Sequence, residues 1–220
     1  EDMLIVDDLA QVPDPLDYPV VSIGSFDGIH RGHQAIIQRL LEVTKERKGT
    51  SIVLSFSPHP QRVIAPATAP ALLQTPAQRE QILQALGIDV LFRLPFNRKI
   101  SLLSPERFVH EILLAWRVDE IVVGTNFRFG HKRSGDFELL RRLCAQRGIE
   151  VHGIEPVRFR NVRISSTRVR GLLLEGRVSL ARRMLARPYE ISGTVVRGAG
   201  NGVLLGFPTA NLAPENELAP

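Results

Sequence analysis

The sequence predicts an α/β protein: a parallel sheet with helical crossovers, followed from residue 187 by the opening of a β-rich unit. Three observations predict it. Apolar, β-branched runs alternate with stretches of helical spacing from Tyr18 to Leu185, and such alternation implies parallel strands joined by right-handed crossovers. Unusual residues (glycine, histidine, hydroxyls) follow the strand ends, where open parallel sheets bind their ligands. After Arg187-Pro188 the helical period does not return.

The elements follow in order. Tyr18 to Ile23 is a buried strand ending at Gly24. His33 to Lys48 carries Ile36, Ile37, Leu40, Leu41 and Thr44 at helical spacing, with Gly49 as the expected stop. Ser51 to Phe56 is the second strand, and Ala65 to Ala71 a proline-alanine loop that is either a connector or a lid. Thr75-Pro76-Ala77-Gln78 is a capping box with proline at the first helical position. Its helix runs to about Leu86 and Gly87, and Asp89 to Leu94 is the third strand. Ser104-Pro105-Glu106 opens a helix with Phe108, Val109, Ile112 and Leu113 on its apolar face. Asp119 to Gly124 is the fourth strand, Phe137 to Arg147 a helix stopped by Gly148, and Glu150 to Ile154 the fifth strand. Helices from about Thr167 to Leu174 and Ser179 to Leu185 close the α/β part. Tyr189 to Arg197 alternates like an edge strand, with Gly198, Gly200 and Gly202 close behind, and so short a piece builds no core of its own.

Composition narrows the function. The 220 residues are 44% hydrophobic and 23% charged, which fits a folded globular chain. No run approaches the ~18 apolar residues of a membrane helix. The acidic opening (Glu1, Asp2, Asp7, Asp8) argues against a secretory leader, unless one has been removed. A lone cysteine, Cys144, makes the cytoplasm the simplest compartment. The net charge of +5 suits phosphorylated small molecules, and without a Lys/Arg-rich arm no nucleic-acid partner is expected. Oligomeric state is not legible.

Four segments carry candidate chemistry. Gly24-Ser25-Phe26-Asp27-Gly28-Ile29-His30-Arg31-Gly32-His33 joins the first strand to the first helix. Its glycines allow close backbone approach and its helix start favours an anion. His30 and His33, three apart, share one face there. A helix terminus contributes only ~0.3–1 kcal/mol, whereas a 10⁶-fold acceleration needs roughly 8 kcal/mol. Histidine, arginine and a metal ion must therefore share the work. No GxxxxGK[ST] phosphate loop is present. The second segment, Ile164 to Arg170, sets Ser165, Ser166 and Thr167 before Arg168 and Arg170, which suits a polyphosphate tail or else an ordinary N-cap with surface arginines. In the third, Asn126-Phe127-Arg128-Phe129-Gly130 either stacks a planar ring and holds a phosphate or is a turn pinned by two buried phenylalanines. In the fourth, Phe56-Ser57-Pro58-His59-Pro60 is a rigid corner that presents an imidazole, or simply a stiff loop.

Together these segments resemble the bifunctional prokaryotic riboflavin kinase/FMN adenylyltransferases. The resemblance rests on GSFDGIHRGH at 24–33, SFSPHP at 55–60, VVGTNFRFGHKRSGD at 122–136 and ISSTRVR at 164–170. ARPYEISGTVVRGAGNG at 186–202 and LGFPTANL at 205–212 continue it. It implies a Rossmann-like nucleotidyltransferase domain over residues 1–186 that transfers AMP from ATP to FMN, giving FAD and pyrophosphate. It also implies a partial riboflavin kinase β-barrel over 187–220. By this resemblance His30, His33 and Arg168 are catalytic. Gly24, Ser25, Phe26, Asp27, Gly28, Ser165, Ser166, Thr167 and Arg170 serve ATP. Phe56, Pro58, His59, Asn126, Phe127, Arg128 and Phe129 face the flavin. Mg²⁺ accompanies the ATP phosphates, and Thr209 and Asn211 stand where the kinase holds ATP and Mg²⁺. The chain stops at Pro220 before that barrel is complete, so the natural protein is expected to be longer. Conversion of riboflavin to FMN by these residues is expected to be lost or incomplete. One departure is Ala186, where the family's linker usually has glycine. The competing expectations are another HxGH nucleotidyltransferase, acting on pantetheine phosphate or nicotinate mononucleotide, a flavin or nucleotide binder without turnover, and an RNA-binding module.

Overall fold

The computed structural model describes residues 2–12, 15–198, 206–207 and 209–218. Gly200, Gly202, Leu205 and Pro208 of the C-terminal motifs lie outside them. The elements are β1 (Leu4–Val6), β2 (Pro19–Ile23), α1 (Arg31–Arg47), β3 (Thr50–Ser57), α2 (Pro60–Ile64), α3 (Pro76–Leu86) and β4 (Val90–Pro95). Then come α4 (Arg98–Ser101), α5 (Pro105–Phe108), β5 (Glu120–Gly124), β6 (Arg128–Phe129), β7 (Gly135–Asp136), α6 (Phe137–Ala145) and β8 (Glu150–Ile154). The described chain closes with β9 (Arg158–Phe159), β10 (Val162–Arg163), α7 (Ser166–Leu174), α8 (Val178–Leu185), β11 (Gly193–Val196) and β12 (Asn211–Pro214).

The main sheet has six parallel strands in the order β1-β4-β3-β2-β5-β8. Five of them match the expected runs, and the sixth, β1, does not. With three residues, of which Leu4 and Ile5 are exposed, β1 offers no buried run to read. Alternate residues on each strand enter opposite cores, as the two-residue period of a strand requires. Val21, Ile23, Ile52, Leu54, Val90, Phe92, Ile121 and Val123 pack with Phe108, Ile112, Leu113, Leu140 and Cys144. Val20, Val53, Leu91 and Val122 pack with Ile37, Leu40 and Val43 of α1 and Leu83 of α3. Both faces are thus covered, which is why the strands read as continuous apolar runs. Burial pushes the Cys144 thiol up to about 11, so the lone cysteine serves the core as an uncharged side chain. A third cluster joins α7 and α8 to Leu73 and Leu218.

Several helix ends differ from expectation: α1 starts at Arg31 and not His33, and α6 stops at Ala145 and not Arg147. The stop of α1 is Lys48, in the left-handed region at φ 55°, and not Gly49. Glycine is needed at 49 for another reason: a Cβ there would lie 2.2 Å from the Tyr18 carbonyl oxygen. The helix opened by Ser104 and Pro105 keeps α geometry only to Phe108, then continues as a π turn over Val109–Leu113 and a 3₁₀ turn over Leu114–Trp116. The predicted box at Thr75 is present in full, with Gln78 N–H donating to Thr75 Oγ1 at 3.2 Å and Thr75 N–H to Gln78 Oε1 at 2.9 Å.

At the amino end of the sheet, away from the strand ends that carry the motifs, Glu120 is buried. It accepts from Tyr18 Oη at 2.8 Å, Arg47 Nε at 2.7 Å and His152 Nε2 at 2.5 Å. Burial alone would raise its carboxyl, but these donors hold it below the usual value. After α8 the chain forms an antiparallel ribbon, β11 with β12. Asn211 lies on this ribbon opposite Val196, with Thr209 just before it. No helix among the described residues is long and apolar enough to cross a membrane.

Candidate active site

The strand order reverses between β2 and β5, and a ligand cleft is expected outside the carboxyl ends of strands at such a point. A cavity of about 800 Å³ opens there, within the range of small-molecule sites. Its walls come from the turn after β2, the ends of β3, β5 and β8, and the start of α7. Gly24, Ser25, Phe26, Asp27, His30, His33, Phe56, His59, Asn126, Phe127, Arg128, Phe129, Ser165, Ser166, Thr167 and Arg170 all line it. Four segments distant in sequence thus meet in one place. Gly28, Pro58 and Arg168 are not among the lining residues, and neither are Asn211, on the β11–β12 ribbon, and Thr209 just before it.

The turn after β2 is held in an uncommon conformation. Phe26, Gly28 and Ile29 have φ of 48°, 84° and 36°. Only glycine takes such angles freely, and at 28 a Cβ would also meet Leu73 Cδ1 at 2.6 Å. Side chains from elsewhere fix the turn. Gln74 Nε2 donates to the Phe26 carbonyl at 3.0 Å, and Ser166 Oγ to the Asp27 carbonyl at 2.8 Å. The Asp27 carboxylate, 5% exposed, accepts from Leu73 N–H at 2.9 Å and Arg170 Nη2 at 2.5 Å. Arg170 also donates to the Ala71 carbonyl at 2.7 Å. Burial pushes the Asp27 carboxyl up, and Arg170 and Leu73 pull it only part of the way back.

His30 caps α1: its Nδ1 accepts from His33 N–H at 3.3 Å. The two imidazoles stack, with centroids 3.8 Å apart and planes 12° from parallel. Burial holds His30 down to about 4, and burial together with the His30 and Arg187 charges holds His33 well below its ordinary value. Both rings are therefore neutral near neutral pH. An Nδ1 that accepts leaves the proton of a neutral ring on Nε2, so His30 offers an Nε2–H donor. Among the described residues, Nδ1 of His33 is buried without a hydrogen-bond partner. His59 repeats the device at α2, where its Nδ1 accepts from Gln61 N–H at 3.3 Å, and burial lowers it too.

Across the cavity, Ser165 caps α7 by accepting from Arg168 N–H at 3.2 Å. The remaining free N–H groups of that helix start and the Thr167 hydroxyl are suited to an anion. Arg168 carries a buried Nε with no hydrogen-bond partner among the described residues, and it stands off the cavity wall. Arg163, which belongs to none of the four motif segments, does line it; its signal was its place two residues before Ser165, at the head of the hydroxyl run. In the loop after β5, Phe127 and Phe129 stack at 5.5 Å, and Phe129 is buried against Phe108. These rings anchor the loop as well as lining the cavity. Arg128 pairs with Asp136 at 3.2 Å across the β6–β7 ribbon. The peptide before Pro58 is cis.

Comparison with known proteins identifies relatives of the chain. The FAD synthetase family model matches residues 14–168, and the riboflavin kinase model matches residues 185–220. Among curated proteins, a bifunctional riboflavin kinase/FMN adenylyltransferase of Pseudomonas fluorescens is 39% identical over 91% of this chain and 65% of its own length. Those of Buchnera aphidicola (subsp. Schizaphis graminum) and Escherichia coli K12 are 37% and 36% identical, over 88% and 94% of this chain and 62% and 66% of their own lengths. The chain thus spans somewhat less than two thirds of these relatives. A crystal structure described as a macrolide-efflux protein from Streptococcus pneumoniae superposes with a TM-score of 0.86 at 29% identity, over 99% of this chain and 71% of that one. With the FAD synthetase model matching well over half of its length, the chain belongs to the FAD synthetase family.

Proposed function

We propose that this chain transfers AMP from ATP to FMN, giving FAD and pyrophosphate. The observation that carries the reading is the pairing, across one cavity at the strand-order switch, of the stacked His30–His33 helix start with the hydroxyl-rich start of α7. An FMN phosphate oxygen attacks the α-phosphorus of ATP in line. The bond from that phosphorus to the bridging oxygen breaks, and the electron pair leaves with pyrophosphate. No proton need move, because the attacking oxygen is already ionised. The protein's part is position and charge stabilisation. His30 and His33 meet the α-phosphate as neutral hydrogen-bond donors. Ser165, Ser166, Thr167 and the cations of Arg163 and Arg170 receive the β- and γ-phosphates, with Arg168 behind them. Phe56, His59, Asn126, Phe127 and Arg128 face the flavin.

Magnesium fits this cleft only as a companion of the nucleotide. Of the lining carboxylates, Asp27 is already engaged by Arg170 and Leu73, which leaves Glu155. When bound, the ion would neutralise phosphate charge while keeping most of its waters. Residues 1–186 carry the transferase, and 187–220 begin the kinase region with Thr209 and Asn211. Phosphorylation of riboflavin is assigned to the complete kinase region of the whole protein, not to this piece.

The test is incubation with FMN, ATP and Mg²⁺, with chromatographic separation of flavins and detection of pyrophosphate. FAD and pyrophosphate should appear together, and His33→Ala should lower turnover by about 10²–10³-fold. Riboflavin with MgATP should give little FMN. Bound FMN without product would replace this reading with a binding role, and full turnover by His33→Ala would remove the histidines from it.

A further inference from the structure

The turn that begins the His30–His33 site is gripped by a residue that the FAD synthetase match does not include. Arg187 lies within the riboflavin kinase match, which starts at residue 185, and the transferase match ends at 168. Its half-buried guanidinium reaches back across the chain. Nη2 donates to the Gly28 carbonyl at 2.7 Å and to Gln74 Oε1 at 3.4 Å. Nη1 donates to the Ile29 carbonyl at 3.0 Å and the Leu185 carbonyl at 3.3 Å. Gln34 Nε2 shares the Ile29 and Leu185 carbonyls, each at 2.8 Å. The Gly28 carbonyl receives the charged donor of Arg187, and this is the stronger class of hydrogen bond.

We propose that Arg187 is a positioning residue for adenylyl transfer: by holding the Gly28 and Ile29 carbonyls it sets the peptide planes that lead into His30. This rests on the transferase reading above. In a planar trans peptide the N–H points opposite to the carbonyl. Fixing the two carbonyls on Arg187 therefore turns the Ile29 and His30 N–H groups away from it and sets how the chain enters α1. Gly28 and Ile29 both sit at positive φ, so these planes have no backbone preference to hold them there. His30 and His33 depend on them for register. The residue that completes the transferase turn thus belongs to the stretch leading into the kinase region, which ties formation of the first site to the seating of the second segment. That segment is seated independently too, by Ser192 Oγ accepting from Gln78 Nε2 at 2.8 Å and by Glu217, which binds Arg62 and Leu72 N–H.

The experiment compares Arg187→Ala and Arg187→Lys with the unmodified chain for FAD formation, with kcat and KM separated for ATP and FMN. Arg187→Ala should lose about 10- to 100-fold in kcat/KM, the scale of a small misplacement of reacting groups, through kcat and KM for ATP and with KM for FMN unchanged. Arg187→Lys should recover part of it, and added guanidinium at low millimolar concentration should restore part of the Ala variant's rate. In a His33→Ala background the further loss from Arg187→Ala should largely vanish, because the group it positions is gone. Unchanged kinetics in Arg187→Ala, or the same fold-loss in both backgrounds, would overturn the proposal. Should Arg187→Ala not fold, a wild-type rate in the Lys variant would overturn it as well. Absence of FAD from the unmodified chain would sink the transferase reading alone. Titration with a non-hydrolysable ATP analogue then decides the role of Arg187, which predicts weaker binding in the Ala variant and is refuted by equal binding.

Discussion

Asp27 and Arg170 offer the sharpest test of how the site is built. Asp27 is 5% exposed, and the Arg170 side chain 13%. Two charges so placed cost several kcal/mol each to desolvate, and their attraction repays this only while both are present. The raised Asp27 carboxyl says the same: its burial outweighs what Arg170 returns. Breaking such a pair from one side typically costs ~3–5 kcal/mol. Arg170 keeps the Ala71 carbonyl when Asp27 is changed, so Asp27→Asn, which still offers an oxygen to Leu73 N–H, should cost about 3 kcal/mol, the lower end of that range. For a chain of this size that is a fall in Tm of about 6–12 °C. Asp27→Ala should cost about 1 kcal/mol more, through the unpartnered Leu73 N–H. Arg170→Met should cost about as much as Asp27→Asn, and the double variant Asp27→Asn/Arg170→Met much less than the sum, with a coupling of about 2 kcal/mol. Urea unfolding of the four proteins at neutral pH measures all of this. If Asp27→Asn cost under about 1 kcal/mol, or the two changes added, the pair would not be the clasp described here.

The buried histidines predict an acid dependence. His30 is held to about 4 in the folded chain against 6.5 when unfolded, so between these values the unfolded state binds more protons and stability falls as pH drops, by up to roughly 3 kcal/mol. The urea midpoint should be lower at about pH 5 than at about pH 7, less so in His30→Asn, and an equal drop in that variant would contradict the assignment. Ala186 ends α8 in the left-handed region at φ 58°, where an L-residue costs ~1–2 kcal/mol and glycine only ~0.5–1 kcal/mol of chain entropy. Ala186→Gly should therefore stabilise by about 0.5 kcal/mol, and a lower Tm would show that the methyl makes compensating contacts.

What could be read from the sequence was whatever is written locally. The runs at Pro19–Ile23, Thr50–Ser57 and Glu120–Gly124 carry their own apolar signal because both faces of the sheet are covered. Thr75 with Gln78 announces its helix start within four residues. The site was legible for the same reason: each of its pieces is a short motif at a strand or helix end. What could not be read joins residues far apart. Arg170 to Asp27 spans 143 positions and Arg187 to Gly28 spans 159. Neither pairing has a local pattern, so the sequence suggested a phosphate role for Arg170 and gave no sign of the clasp it forms with Asp27 and Ala71. Gly49 illustrates the same limit, because the atom that demands a glycine there belongs to Tyr18.

The histidine geometry limits what chemistry the site can perform. A general acid or base works best with a pKa near the operating pH. His30, held at about 4 and spending Nδ1 on the cap of α1, is poorly placed to exchange protons at neutral pH. It is well placed to donate one hydrogen bond from a fixed ring, since capping sets the ring's orientation and the stack against His33 sets its plane. A reaction that needs a proton taken from its nucleophile would find no partner in this pair. A reaction whose nucleophile is already an ionised phosphate oxygen needs none, and gains most from fixed donors aimed at the charge that develops on phosphorus. The depressed histidines and the phosphate acceptor proposed above thus share one physical basis: burial disfavours proton transfer at this pair and strengthens each hydrogen bond that remains.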